Sequence, residues 1–358
     1  MADPLQDAIA LFARFEETGD PEPLDRGLQL LDRTAARMPQ DSPDLPPVLL
    51  AMGSGHRMRY PLTRNLADLV RSLEALGAAY REQSRHGGDT FDYLDELCTT
   101  RGAYYVETGD RDLIDEAIAD RESMRPQYAA APERLVRVLN NLGMDYRHRF
   151  DGEGDPQDLE QSGVAFADAL ELLADDDPNR IRLLLALADV LQRRYALTDD
   201  ANDLRGAVHY RADALRRVPG MNPAKVDQTL TLAEELSALF AETNDQALLE
   251  QAIGLMDEAA RSEAVTPATV PRIHNNMAAL ILTRYAVTSD LADLDDAEAE
   301  LSLAIDSLDA AAAVRPEAAA DRPRFEMGLA SVLRQRYART HNQADLDRAS
   351  QLERAAGR

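Results

Sequence analysis

A pattern repeated eight times constrains this chain more than any other feature. An aromatic residue recurs at Phe15, Tyr60, Tyr105, Phe150, Tyr195, Phe240, Tyr285 and Tyr337; the first seven are spaced by 45 residues and the last step is 52. The additional seven residues fall in the alanine-rich stretch 308–323. With each aromatic residue taken as an anchor, four columns travel with it. Seven before it the residue is small: Ala8, Gly53, Cys98, Gly143, Ala188, Ala233, Ala278 and Ala330. Five after it stands Asp or Asn, at 20, 65, 110, 155, 200, 245, 290 and 342. Nine after it is Leu, or Ile at 114, and twelve after it is Gly27, Ser72, Ala117, Ser162, Ala207, Ala252, Ala297 or Ala349. Self-similarity at a fixed period marks architectures whose modules bury their apolar faces only by stacking.

The columns predict helix A, a tight turn and helix B in every copy. The Asp or Asn accepts from the free amides of a helix start. Three residues later Asp68, Asp158, Asp203, Asp293 and Asp345 add negative charge to the first turn, in the manner of a capping box. Pro21 and Pro156 suit the first helical position, and Gly19 and Gly109 end the preceding helix. Proline or glycine at Pro39, Gly87-Gly88, Pro126, Pro178, Pro219, Pro267 and Pro316 closes successive copies. The small columns let the paired helices approach closely. The expectation is an all-α chain, an α-solenoid of about eight two-helix repeats with a 45-residue period. The repeats run over roughly 3–40, 46–88, 91–127, 132–177, 179–219, 223–266, 271–315 and 323–358, in a single domain spanning 1–358.

Composition narrows the partners. Lys+Arg 39 against Asp+Glu 64 leaves a net charge of −25, which repels phosphate backbones and anionic lipid, so neither nucleic acid nor membrane is expected. One cysteine, Cys98, excludes a disulfide framework and a cysteine metal cluster. The opening MADPLQDAIALF lacks the basic and apolar regions of a secretion signal. The most apolar stretch, Ile181–Leu191, is interrupted by Arg182 and Asp189 and is too short to span a bilayer. An acidic cytoplasmic protein is expected, and the preference for arginine over the single Lys225 points to a GC-rich bacterial source.

Residues 138–150, VLNNLGMDYRHRF, and 273–285, IHNNMAALILTRY, resemble helix A of a tetratricopeptide (TPR) repeat. The turn pattern seen in RYALTDDANDLRGA and RYAVTSDLADLDDA is similar to the long TPR-like repeats upstream of CHAT domains, caspase-like proteases of bacteria and fungi. The resemblance spans essentially the whole chain, with a period longer than the usual 34 or so residues. It implies A helices lining a concave groove and non-catalytic binding of a protein or peptide, as scaffold, adaptor or sensor. It also implies a CHAT-type protease, on this chain or another, as partner. The short last helix, LDRASQLERAAGR, lacks a polar cap; homo-oligomerisation through the C-terminal face, or further chain beyond it, is expected to cover it, a natural short terminus being the alternative.

In the orientation the resemblance implies, residues ten, six, three and two before the anchor face inward. In repeats 2–5 these include Arg57, Asp95, Thr99, Asn140, Arg147, His148, Asp189, Gln192 and Arg193, joined by Arg137 and Arg182 one turn earlier. The strip is polar and locally cationic. Arginine grips carboxylates and phosphates bidentately, so an acidic peptide segment or an anionic small ligand is the expected occupant. The structural alternative is that these arginines pair with nearby Asp and Glu.

A second candidate comes from the residues themselves. Four before the anchor the column is apolar at Leu11, Leu191, Leu236, Ile281 and Leu333, but repeats 2–4 place His56, Arg101 and Tyr146 there. Packed helices lie about 8–10 Å apart, so three consecutive exceptions are expected as neighbours lining a small-molecule or catalytic pocket. Asp95, Glu96, Tyr104 and Asn141 would complete it; a wetter, self-satisfied stretch of solenoid is the alternative. Catalysis would need His56 or His148 held by a carboxylate. No spacing dictates that, so no catalytic residue, metal ligand or cofactor is assigned. GSGH at 53–56 imitates a phosphate loop and DGEGDPQD at 151–158 a calcium loop, yet both align with ordinary repeat positions. Cys98 belongs to the small column and reads as packing.

Overall fold

A computed structural model describes residues 3–357. Among the described residues the α-helices are α1 (Pro4–Thr18), α2 (Pro21–Ala35), α3 (Leu45–Thr63), α4 (Leu66–Arg85), α5 (Phe91–Thr108), α6 (Arg111–Gln127), α7 (Pro132–Glu153), α8 (Pro156–Glu171), α9 (Asn179–Thr198), α10 (Ala201–Arg217), α11 (Pro223–Thr243), α12 (Gln246–Ala260), α13 (Val270–Thr288), α14 (Leu291–Asp306), α15 (Leu308–Val314), α16 (Arg322–Thr340) and α17 (Gln343–Ala356). A 3-10 turn covers Pro316–Asp321. The fold is all-α, an α-solenoid of TPR-like hairpins. The chain forms two compact units, one up to Asp177 and one from Pro178. Unit 1 holds the hairpins α1/α2, α3/α4, α5/α6 and α7/α8. Unit 2 holds α9/α10, α11/α12, α13/α14 and α16/α17. Inside each unit every A or B helix packs on the next in chain order, α14 reaching α16 past the short α15.

Periodicity explains the packing. In α2, Leu24, Leu28 and Leu31 are buried while Asp25 and Arg26 face solvent, the stripe of an amphipathic helix. Burying such a leucine contributes about 1.5–3 kcal/mol. The small columns sit where A and B helices of one hairpin touch. A Cβ on Gly27 would come within 2.5 Å of the Phe12 ring, and one on Gly143 within 2.7 Å of the Phe166 ring. Opposite the glycines at 53 and 143 stand Ser72 and Ser162, whose hydroxyls donate to Gly53 O at 2.8 Å and Gly143 O at 2.7 Å.

Every A–B corner has the same two-residue construction. Its first residue is left-handed: Gly19, Gly109 and Gly154 at φ 69–75°, but Arg64, Asp199, Asn244, Ser289 and His341 at φ 50–57°. Its amide donates to the anchor carbonyl, as Gly19 does to Phe15 O at 2.7 Å. The second residue is the expected N-cap in all eight corners, and its side chain accepts from the new helix in seven of them, Asp110 being the exception.

The capping-box expectation is corrected. In seven of the corners the N-cap amide is already held by the threonine two residues before it, as Thr198 Oγ1 holds the Asp200 amide at 3.3 Å and Thr288 Oγ1 that of Asp290 at 3.2 Å, Glu153 taking that position before Asp155. The first-turn acids are therefore free to turn inward. Asp68, Asp158, Asp203, Asp293 and Asp345 are buried, and each receives the guanidinium of the arginine just before its anchor: Arg59, Arg149, Arg194, Arg284 and Arg336. Two smaller differences concern the repeat ends. Pro126 lies in the last turn of α6 rather than beyond it. The extra residues of the last repeat fold as α15 and the 3-10 turn, with Leu308, Ala311 and Ala318 buried.

Candidate functional site on the A-helix face

Most of the nominated residues lie on α3, α5 and α7 of unit 1, and the chain neutralises much of its own cationic strip. Arg57 meets Glu96 at 2.7 Å. Arg137 meets Asp92 at 2.5 Å and Asp95 at 2.7 Å, and its guanidinium lies 4.4 Å over the Phe91 ring. Asn140 donates to Asn141 Oδ1 at 2.9 Å, and Asn141 donates to Asp95 Oδ1 at 3.0 Å. These rungs join consecutive A helices. Arg147 differs: its Nε is buried without a hydrogen-bond partner, and no carboxylate pairs with it among the described residues. In unit 2, Arg182 and Arg193 are exposed on α9, and Asp189 turns to Arg211.

His56, Arg101 and Tyr146 do not converge. Each reaches a B helix. His56 Nδ1 lies 3.8 Å from Asp68 Oδ1 on α4. Arg101 pairs with Glu116 at 2.9 Å and Asp120 at 2.6 Å on α6, and Tyr146 donates to Glu122 on α6 at 3.1 Å. Side chains in this column point across to the B layer rather than along the row of A helices, so neighbouring repeats do not bring them together. Burial, then Arg59, pushes the His56 imidazole down; burial, then Arg147, does the same to His148. Burial, then Glu122, pushes the Tyr146 phenol up to about 12. Burial thus favours the neutral form of both imidazoles, and neither is hydrogen-bonded to a carboxylate among the described residues. The fully buried Cys98 thiol is pushed up to about 12 by its burial, so it carries no thiolate at neutral pH.

Sequence reasoning missed Arg121 and Arg211, the two largest fully buried side chains. Both stand sixteen after the anchor, where the other copies carry Leu31, Leu76, Phe166, Met256, Leu301 and Glu353. Each meets an acid five before the next anchor, Asp145 or Glu235, in a column that is otherwise uncharged. That complementary charge was a readable signal. In unit 1, Arg121 pairs with Asp145 through Nη1, while Nη2 donates to Asp95 O at 3.2 Å, Asp95 Oδ1 at 3.3 Å and Thr99 Oγ1 at 2.8 Å. In unit 2, Arg211 holds Glu235 through Nε at 3.0 and 3.1 Å and Nη2 at 2.9 Å; it also holds Asp189 at 2.9 Å and bonds Gln228. Burial raises the Asp145 carboxyl to about 6 against the pull of Arg121. Burial likewise raises Glu235 against Arg211.

One recess recurs at equivalent columns between consecutive A helices, once in each unit. In unit 1 it lies among Thr99, Gly102, Arg121, Asn141, Met144 and Asp145, beside His148, with a volume of about 160 Å³. In unit 2 the equivalent Glu234, Ser237, Met256, Asn276, Ala279 and Leu280 enclose about 270 Å³. A small residue three before the anchor, Gly102 or Ser237, opens each recess; elsewhere that column is Phe12, Arg57, Arg147, Gln192, Leu282 or Arg334. Asn276 repeats the bonding of Asn141, accepting from Asn275 at 3.3 Å and donating to Glu234 at 2.7 Å. Each of these asparagines keeps one N–H and one lone pair for another partner.

No protein-family model matches the sequence, and no curated protein matches it. Among solved structures the chain is similar to the apo form of the quorum sensor NprR from B. thuringiensis, at 13% identity and a TM-score of 0.48, covering 100% of this chain and 89% of that one. It is similar to a tetratricopeptide repeat protein from Parabacteroides merdae at 14% identity and a TM-score of 0.44, covering 84% and 92% of the two chains. A human IFIT1 dimer with PPP-AAAA is similar at 15% identity and a TM-score of 0.43, covering 89% and 72%. No helix among the described residues is long and apolar enough to cross a membrane.

Proposed function

We propose that this chain is a non-catalytic TPR-like binding module, a scaffold, adaptor or sensor, whose A-helix face holds a polypeptide segment. The recess repeated at the same columns in both units carries the reading. Two polar recesses built from the same columns, one in each unit, suit side chains of a bound segment, whereas a catalytic centre needs one convergent set of groups. Pairing of Arg57 and Arg137 with acids of the chain leaves Arg147 to meet an acidic side chain of the partner. The other contacts are neutral and polar. A CHAT-type protease, on this chain or another, is the partner to test first, because the corner pattern resembles repeats associated with such enzymes. The net charge of −25 sets the surface against nucleic acid.

The test is capture of that partner by variants. Arg147→Glu with Arg193→Glu, or Ala279→Arg filling the unit 2 recess, is expected to weaken capture. Gln161→Arg on the exposed surface of the B helix α8 is expected to leave it unchanged. A partner lost with Gln161→Arg and retained by both A-face variants would put the contact on the B helices and refute the reading.

A further inference from the structure

The recess of unit 1 is chemically unfinished, and unit 2 shows what finishes it. Arg121 and Arg211 occupy the same column, each buried against an acid of the following A helix. Around Arg211 every nitrogen is engaged: Nε by both Glu235 oxygens, Nη1 by Gln228, and Nη2 by Asp189, Glu235 and the carboxamide oxygen of Gln192 at 3.4 Å. Around Arg121 two of those pieces are cut short. Asp145 stands where Glu235 stands, and the Nε of Arg121, whose side chain is 1% exposed, has no partner. Gly102 stands where Gln192 stands, and a recess of about 160 Å³ opens there. A Cβ added to Gly102 would lie 3.0 Å from Asp145 Oδ1 and 4.0 Å from His148 Nδ1. Both atoms therefore face the space the missing side chain leaves. His148 Nδ1 is itself buried without a partner.

We propose that this recess takes the side-chain carboxamide of a glutamine or asparagine in a bound polypeptide, which enters the space that Gln192 fills in unit 2 and gives the arginine Nε the acceptor that Glu235 gives it there. The inference rests on the A-helix face receiving a polypeptide. The carboxamide oxygen accepts from Arg121 Nε, and its nitrogen donates to Asp145 Oδ1 or His148 Nδ1, so donors and acceptors left open in the fold are matched one for one. Charge selects against an acid, because Asp95 and Asp145 already set two carboxylates on Arg121 and a third anion is repelled. It selects against a cation too, with Arg121 in the lining and Arg147 acting on His148 from the side. The volume is close to that of an engineered cavity of about 150 Å³ that holds one benzene ring, which admits a short side chain.

Met144 lines the recess and its [13C]methyl signal is a local probe. The full chain is titrated with four blocked tripeptides, acetyl-Ala-X-Ala-amide, with X as Gln, Glu, Lys or Ala. The glutamine peptide is expected to move the Met144 signal saturably and the other three not to move it. Equal movement by the glutamate or lysine peptide overturns the amide assignment, and equal movement by the alanine peptide makes the ligand a main-chain amide and overturns it as well. Gly102→Gln is expected to supply the missing carboxamide, to abolish the response and to raise the thermal midpoint. Asp145→Glu, which recreates the Glu235 arrangement and leaves the glycine in place, is a second variant expected to weaken the response. A folded Gly102→Gln or Asp145→Glu protein that binds the glutamine peptide as tightly as the parent refutes the proposal. Capture of a partner on the A-helix face alongside a silent Met144 signal sinks the pocket assignment alone.

Discussion

Replacing Arg211 by methionine probes the buried charge pair of unit 2, and the chain contains its own control. Arg211 and Glu235 are 0% and 2% exposed. Removing the guanidinium strips Glu235 of its bonds at 2.9–3.1 Å and leaves a carboxylate with no counter-charge in the core. Breaking one side of such a pair costs about 3–5 kcal/mol. Asp189, 40% exposed at its side chain, rehydrates and adds little. One repeat later the same two columns hold Met256 and Leu280, both buried, so this backbone accommodates an apolar version of the contact. Arg211→Met and Glu235→Leu should therefore each lose about 3–5 kcal/mol, while the double variant ends within about 1 kcal/mol of the parent or above it. Urea unfolding followed by circular dichroism at 222 nm gives all four stabilities and the coupling energy. A double variant whose loss equals the sum of the single losses would refute the reasoning, because it would mean the two charges do not act on each other. The pH dependence has a definite sign. In Arg211→Met the Glu235 carboxyl, already raised by burial in the parent, loses its opposing cation and rises further. The folded state then binds the extra proton, so the variant gains stability relative to the parent as pH falls from 7 toward the acidic range.

Three shorter predictions follow from other parts of the fold. Ala188→Leu places a large side chain in a fully buried small column and should cost about 1–3 kcal/mol by overpacking; an unchanged thermal midpoint would contradict the helix register. Ser289→Gly relieves a left-handed residue at φ 57° and should raise unfolding free energy by up to about 1 kcal/mol, whereas a loss would show that the serine side chain holds the corner. Burial pushes the Asp68 carboxyl up, but bonds from Arg59 and Thr63 outweigh it and hold the group below 3.8. Its contribution is present above that value and disappears as pH falls through the lower folded value, so Asp68→Asn should flatten the acid limb of the stability profile; an identical limb would show that the pair contributes nothing.

The fold was legible because its determinants are local and periodic. The N-cap column, the small columns and the leucine column each do one job in one hairpin, so spacing alone identifies them. What escaped was pairing between elements. Arg59, Arg149, Arg194, Arg284 and Arg336 occur in the copies that also carry an acid nine residues on, and the pair is absent where that position is Pro23, Leu113 or Leu248. The correlation is present in the sequence, but an acid three residues into a helix is equally the pattern of first-turn capping, and spacing does not say whether it turns to the N-cap or inward to the arginine. Arg121 and Arg211 were hidden for a different reason. A charged residue in an apolar column resembles an exposed exception until its acid, 24 residues away, is placed beside it. His56, Arg101 and Tyr146 show the limit of row arguments: periodicity says which residues are equivalent, but side-chain direction decides what each one touches.

The two kinds of junction have unequal freedom. Between A and B there are two residues in every copy, one left-handed and one capping. Between B and the next A the connector ranges from four residues at 128–131 to nine at 36–44 and 261–269, and one copy accommodates a further short helix. The second junction is thus a permissive seam, where whole hairpins can be duplicated, excised or grafted and where a reporter can be spliced, for instance at 86–90. The first is a locked joint, and an insertion at 199–200 would unlatch both helices that meet there.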